Sequence, residues 1–351
     1  MNQSSTTPSV VAPQRARHQI KPDAYEIVAG GHPVLELIRE RHASRSQPGS
    51  RTDGATLALV VEGGGMRAAV SGGMVVAIEQ LGLTNVFDKI YASSGGAFNA
   101  VYLMTGQALY GSSIYADELT TTRFIDLKRL PTSKPVVSLD YAIDGVMSGT
   151  RAVDWEAAVN SPIELHPIAS SLTSRQAIDL GPPKSAEHLR RQLKATARVL
   201  VFGGEPDEID GHRCVDASLY AGIPFDIAKD QGATHVLALL TRPAGVSRKP
   251  PSLLEKTVIA WKLRQIERWL PEDSELRIEK YRQVVSDLEA ATRDSSSLEV
   301  PAFAVQMRGP ELSQLEQNPT KVRAAAIAGM EATFGLVGVE PQIVSALLPY
   351  V

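Results

Sequence analysis

Apolar residues follow two rhythms along this chain. Short unbroken runs, Leu57 to Val61 in Thr56–Val61 (TLALVV) and His235 to Leu240 (HVLALL), suit strands buried on both faces of a parallel sheet. Shorter β-like pieces stand at Val86–Tyr91, Ile163–Ile168, Val199–Phe202, Arg213–Val215 and Val300–Val305. Between them the apolar spacing turns helical. It predicts helices over Met74–Leu81, Ala97–Met104, Ala186–Thr196, Leu276–Ala291 and Thr320–Phe334, and one or two turns within His32–Arg41. Gly82 and Gly106 mark helix ends, and Asp210-Gly211 marks a tight turn. Leu253–Leu270 reads as one amphipathic helix with Ile259, Leu263, Ile266 and Leu270 on one stripe. The stretch Arg123–Asp144 is mixed. Strands that alternate with helices predict an α/β fold on a mainly parallel sheet.

Length allows one large domain or two smaller ones: the chain has 351 residues. No repeat and no sharp break in composition divides it. The expected organisation is a largely flexible tail with a short helix at 1–54 and one domain at 55–351. The motif-bearing core of that domain is 55–243, and a helical extension follows at 250–351. Residues 1–22 are rich in Ser, Thr and Pro, with Arg15, Arg17 and Lys21 and no acid, which reads as a tail, with a transit segment as the alternative.

A net charge of −3 without a basic stripe gives no reason to expect a nucleic-acid partner. A single cysteine, Cys214, rules out an intrachain disulfide and a multi-cysteine metal site and fits a reducing compartment, so a cytoplasmic location is expected. No run is long and apolar enough to read as a membrane span.

Two glycine-marked turns, each after a strand and before a helix, concentrate the candidate chemistry. The first is Glu62–Arg67 (EGGGMR). Gly63, Gly64 and Gly65 let the backbone approach a ligand and turn N–H groups toward it, which suits negative charge. A dinucleotide loop fails on spacing, since Gly63 and Gly65 fit G-x-G-x-x-G but position 68 is alanine. A phosphate-binding P-loop fails because no G-K-S/T follows. An oxyanion hole or a plain tight turn remain. The second turn is Ala92-Ser93-Ser94-Gly95-Gly96, a nucleophile elbow G-x-S-x-G with alanine in the first place. A serine nucleophile needs a base. None of the seven histidines sits in a triad-like setting, although His166 and His212 stay open. Asp216, in Cys214-Val215-Asp216-Ala217-Ser218, is the better candidate, against the bland reading of a turn or cap residue.

The order EGGGMR, then ASSGG with Ala97-Phe98-Asn99-Ala100, then VDASLYAGIPFDIA resembles the patatin-like phospholipases, over roughly Ala55 to Pro243. That resemblance implies a three-layer α/β/α sandwich and a Ser–Asp dyad without a triad histidine. It implies Ser94 as nucleophile, Asp216 as base in hydrogen-bond contact with it, and an oxyanion hole from the N–H groups of Gly64 and Gly65. Gly63 would shape that loop and Arg67 brace it, while Ala92 and Gly96 would flank the elbow. No cofactor or metal is implied. Ala68, Ala92 and Ala217-Ser218 depart from the family's glycines, and Leu200 stands where a proline is usual. The expected activity is hydrolysis of lipid acyl esters. A soluble-ester esterase or acyltransferase and a catalytically silent lipid-binding homologue are the alternatives. The 253–270 helix, with Trp261 and Trp269 among Lys256, Lys262, Arg264 and Arg268, is expected to pack on the domain by its stripe, with peripheral contact to a membrane as the other reading.

Overall fold

The computed structural model describes residues 30–130, 132, 134–246 and 253–337. In chain order the elements are α1 (Pro33–Ala43), β1 (Leu57–Val61), α2 (Ala69–Gln80), β2 (Lys89–Ser93), α3 (Gly95–Met104), α4 (Ala108–Ser112) and α5 (Ile114–Asp117). There follow a π-helix at Tyr141–Thr150, α6 (Trp155–Val159), β3 (Glu164–Ser171), β4 (Gln176–Asp179), α7 (Ala186–Ala197), β5 (Asp207–Ile209) and β6 (His212–Val215). The chain continues through α8 (Phe225–Asp230), β7 (His235–Leu240), α9 (Leu253–Ile266), α10 (Leu270–Arg293), β8 (Ala302–Gln306) and α11 (Pro319–Phe334).

The sheet runs β5-β6-β3-β2-β1-β7-β8, with β4 also on β3. From β3 to β8 every pairing is parallel; β4, β5 and β6 add antiparallel pairs at one side. The unbroken apolar runs are strands because both faces are covered. Leu57, Leu59 and Val61 of β1 and Leu237 and Leu239 of β7 pack with α1, α2, α3 and α11. Their alternates Ala58, Val60, Val236, Ala238 and Leu240 pack with α8 and α10. Side chains of a strand alternate in direction, so this division defines two helical layers about one sheet.

Caps agree with the sequence where caps matter. Pro33 opens α1 behind His32, whose ring accepts from the Val34 N–H at 3.3 Å. Asn318 caps α11 ahead of Pro319 by accepting from the N–H groups of Thr320 and Lys321. Asp210 and Gly211, both with positive φ, close the two-residue hairpin between β5 and β6.

Several expectations change. α1 is three turns long, where one or two were expected, and Val34, Leu35, Leu37 and Ile38 are buried in the core. Residues 1–29, the first part of the expected 1–54 tail, lie outside the described residues. α2 starts five residues before Met74, because Gly72 and Gly73 are helical. A Cβ at Gly73 would lie 1.8 Å from the Ala326 carbonyl oxygen, and one at Gly329 would lie 2.1 Å from that of Val70. These glycines let α2 and α11 meet backbone to backbone. Val199–Phe202 is not a strand: Val201 has a φ of +73°, and Gly203 N–H bonds back to Val199 O at 2.7 Å. The Arg198–Asp207 ion pair pins this loop, which aims its apolar side chains into a cavity instead of the sheet. The 253–270 helix divides into α9 and the start of α10. Leu263 and Leu270 are buried together, whereas Ile259 and Trp261 are exposed. Within the 250–351 extension, the β-like piece at Val300–Val305 becomes β8, which completes the sheet. Among the described residues no helix is long and apolar enough to cross a membrane.

Candidate active site

Both glycine-marked turns lie at the carboxyl ends of neighbouring parallel strands, β1 and β2. This is where open α/β sheets place ligands. The turns open on one cavity of about 480 Å³. Gly63, Gly64, Gly65, Arg67, Ser93, Ser94 and Asp216 all line it. Apolar side chains, among them Phe124, Val137, Leu200, Phe202 and Leu263, supply much of the remaining surface.

Ser94 follows β2 and precedes α3 with φ +50° and ψ −131°. A non-glycine residue held there costs about 1–3 kcal/mol and persists only when its surroundings impose it. The surroundings here are specific. The Ser94 N–H donates to Thr196 Oγ1 at 2.9 Å, and that hydroxyl donates to the Ile168 carbonyl of β3. A Cβ at Gly96 would lie 2.4 Å from Val61 O, and one at Gly95 would lie 2.7 Å from Ala68 Cβ. Alanine at position 68 therefore fits because position 95 is glycine. Ala92 and Ala217 are fully buried, one in each apolar cluster.

The glycine loop is tied on several sides. Gly63 comes so close to β2 that a Cβ would meet Ser93 O at 2.4 Å. Its N–H donates to Ser93 Oγ at 3.1 Å, and its carbonyl accepts from Thr241 Oγ1 at 2.9 Å. Gly64 and Gly65 have φ of +136° and +59°, and their N–H groups have no hydrogen-bond partner among the described residues. Arg67 lies across Gly64, donates from Nε to Thr241 Oγ1 at 3.2 Å and from Nη1 to Glu311 Oε1 at 3.0 Å, and so clamps the loop to the end of β7. Burial lowers the Arg67 pKa, while Glu62 opposes that shift. Glu62 itself accepts from the Thr241 N–H at 2.6 Å and from the Tyr281 hydroxyl at 2.9 Å.

Asp216 follows β6 and is buried. Its N–H donates to Arg198 O, and its Oδ1 accepts from Ser218 N–H at 2.8 Å, capping a short 3₁₀ turn. Contrary to the expected contact, Ser94 and Asp216 share no hydrogen bond in this structure; they share the cavity. The histidines left open serve elsewhere. His166 bonds Asp179 at 2.7 Å and stacks on Tyr91, and His212 bonds Ser171 Oγ at 2.9 Å. Neither lines the cavity.

Sequence reasoning missed Ser93, Thr241, Arg242, Arg277, Tyr281 and Glu311. Ser93 occupies the free position of the elbow pattern, and the others sit in no motif, so only the fold brings them to the two turns. Thr196 had a signal in Ala195-Thr196-Ala197, which resembles the family's A-S-A.

Together these features describe an α/β protein with a strained serine turn beside a donor-rich glycine loop. Residues 59–229, about half of the chain, match the family model described as patatin-like phospholipase, which places this part of the chain in that family. No curated protein matches the chain. Among solved structures, the crystal structure of VipD from Legionella pneumophila aligns at 10% identity and a TM-score of 0.39, over 85% of this chain and 68% of that one. A likeness of that size adds nothing to the fold described above.

Proposed function

We propose that this protein is a serine hydrolase of lipid acyl esters that works through Ser94 and Asp216. The observation that carries this reading is Ser94 at φ +50°, on a strand-to-helix turn that shares a cavity with the unbonded N–H groups of Gly64 and Gly65 and with Asp216. Ser94 Oγ attacks the ester carbonyl as its proton passes to Asp216. The two N–H groups take the developing oxyanion. Collapse of the intermediate releases the alcohol, which leaves with the proton held by Asp216. Water then gives a proton to Asp216 and attacks the acyl group; the fatty acid departs and Ser94 regains its proton. For this the carboxylate must come within hydrogen-bond reach of Ser94, a contact that tightens on substrate binding in many enzymes.

The apolar lining favours a long acyl chain over a short soluble ester. One observation favours a second reading, a lipid-binding homologue without turnover: the Asp216 carboxylate is held by Ser218 N–H and not by Ser94. A fluorophosphonate probe separates the two. Labelling of the wild type that disappears in Ser94→Ala supports the hydrolase, and a folded protein that stays unlabelled supports the binding protein. Asp216→Asn is expected to retain the fold and lose turnover. Activity confined to short p-nitrophenyl esters, with none on phospholipid vesicles, would remove the lipid assignment.

A further inference from the structure

Two arginines reach the cavity from outside every motif. Arg242 follows β7 and is buried; Arg277 lies on α10. Both line the cavity with Ser94 and Asp216. Three of their donor atoms, Arg242 Nε, Arg242 Nη1 and Arg277 Nε, are buried without a hydrogen-bond partner among the described residues. Buried guanidinium donors are normally satisfied, and leaving them unmade is costly.

Two of the carboxylates nearby, Glu62 and Glu311, are already engaged. Glu62 serves Thr241 N–H and Tyr281 hydroxyl, and Glu311 Oε1 accepts from Arg67. Arg242 Nη1 comes within 3.3 Å of the same Glu311 oxygen without a hydrogen bond, while its guanidinium lies 5.1 Å from the Tyr281 ring centre. Burial lowers the Arg277 pKa; Asp216 counters the shift, and the positive charge of Arg242 adds to it. Two like charges thus line one cavity, with Arg242 Nη1 ion-paired to Glu311 and both Nε donors without a hydrogen-bond partner among the described residues.

We propose that Arg242 and Arg277 bind the phosphate of a glycerophospholipid whose acyl ester lies at Ser94. The proposal rests on the hydrolase reading for the placement of the ester, and on the arginines alone for the phosphate. Two guanidinium forks on different elements present donors in more than one plane. A tetrahedral phosphate offers acceptors in more than one plane, whereas a carboxylate offers them in one. Arg67 is not part of this site, since its Nε and Nη1 already donate hydrogen bonds to Thr241 and Glu311.

The test uses lipids that cannot be cleaved, so it is independent of turnover. Binding of a diether phosphatidylcholine and of the matching diether glycerol is measured in neutral detergent micelles. The wild type is expected to favour the phospholipid by about tenfold or more, the scale of one charge-assisted hydrogen bond. Arg242→Gln and Arg277→Gln are each expected to bring the ratio toward one, and the lysine variants to keep part of it. A wild-type ratio near one overturns the proposal even if the variants fail to fold, and so do folded glutamine variants that keep the full ratio. Complete displacement of the phospholipid by millimolar inorganic phosphate would assign the site to free phosphate and overturn the lipid headgroup. A protein that shows the preference yet never reacts with a fluorophosphonate keeps the phosphate site and loses the hydrolase reading.

Discussion

Ser93 connects three parts of the site through one hydroxyl. It accepts from Gly63 N–H at 3.1 Å and donates to Gly222 O at 2.6 Å, so it joins the glycine loop, the serine turn and the chain that follows Asp216. Ser93→Ala leaves one buried donor and one acceptor without partners, a loss of about 1–3 kcal/mol for each group left unsatisfied. Since the loop would then drift relative to Ser94, kcat is expected to fall about tenfold or more with a smaller change in KM. Steady-state kinetics and thermal unfolding of the variant check this; wild-type kcat and melting temperature would show that Ser93 ties nothing. The sequence marks Ser94 because its neighbours are small, and the glycine loop because three glycines adjoin. It cannot mark Ser93, which occupies the free position of the elbow pattern. Arg242 and Arg277 are equally silent there, since a lone arginine on a helix or after a strand reads as surface until the fold buries it.

At the scale of elements, the strands were the most legible part. Leu57–Val61 and His235–Leu240 form β1 and β7 with the predicted limits, because burial on both faces removes polar residues from the whole run. Helix ends were less legible. Gly72 and Gly73 look like loop residues, yet they lie inside α2, where Gly73 answers to the backbone of α11, far away in sequence. Helix α1 shows the same dependence. Its buried Arg41 holds Asp53 through Nε and Nη2 at 2.8 and 2.9 Å and Asp88 through Nη1 at 2.7 Å. The same guanidinium donates to the Val86 and Ala55 carbonyls, and Asp88 accepts from the Leu57 N–H of β1. The hydrogen bonds from Arg41 hold the Asp53 carboxyl at about 2, against an ordinary value near 3.9. A depressed carboxyl stabilises the fold fully above the unfolded value, and that contribution fades as pH falls from about 4 through about 2. Asp53→Asn is therefore expected to be less stable than wild type at pH 7, with the difference shrinking between about pH 4 and pH 2. Denaturant titrations across that range read it directly; a difference independent of pH would assign the effect to shape and not to charge.

The whole molecule joins two unlike pieces of sheet. Five parallel strands carry the serine and glycine turns, and the antiparallel strands β5 and β6 beside them carry Asp216. The predicted parallel sheet was correct for the first piece. In the second, the turn at Asp210-Gly211 and the β-like piece at Arg213–Val215 were legible, but β5 was not, because three residues are too few for a periodicity to show. Whether the two pieces unfold together decides how firmly Asp216 is held relative to Ser94. Cys214, the single thiol, reports on this from β6, two residues before Asp216. It is fully buried against Ala169 of β3, Ala195 of α7 and Ile209 of β5. Burial pushes its pKa up to about 12, and Asp207 and Asp210 add to that shift. Only an opened chain exposes it as an ordinary thiol near 8.5. Because β6 packs into the same interior as β3 and α7, alkylation by iodoacetamide at pH 8 is expected to rise with urea along the same curve as the circular dichroism. Alkylation that completes at lower urea would mean that the Asp216-bearing edge opens by itself, and that the base is fixed less firmly than the nucleophile it serves.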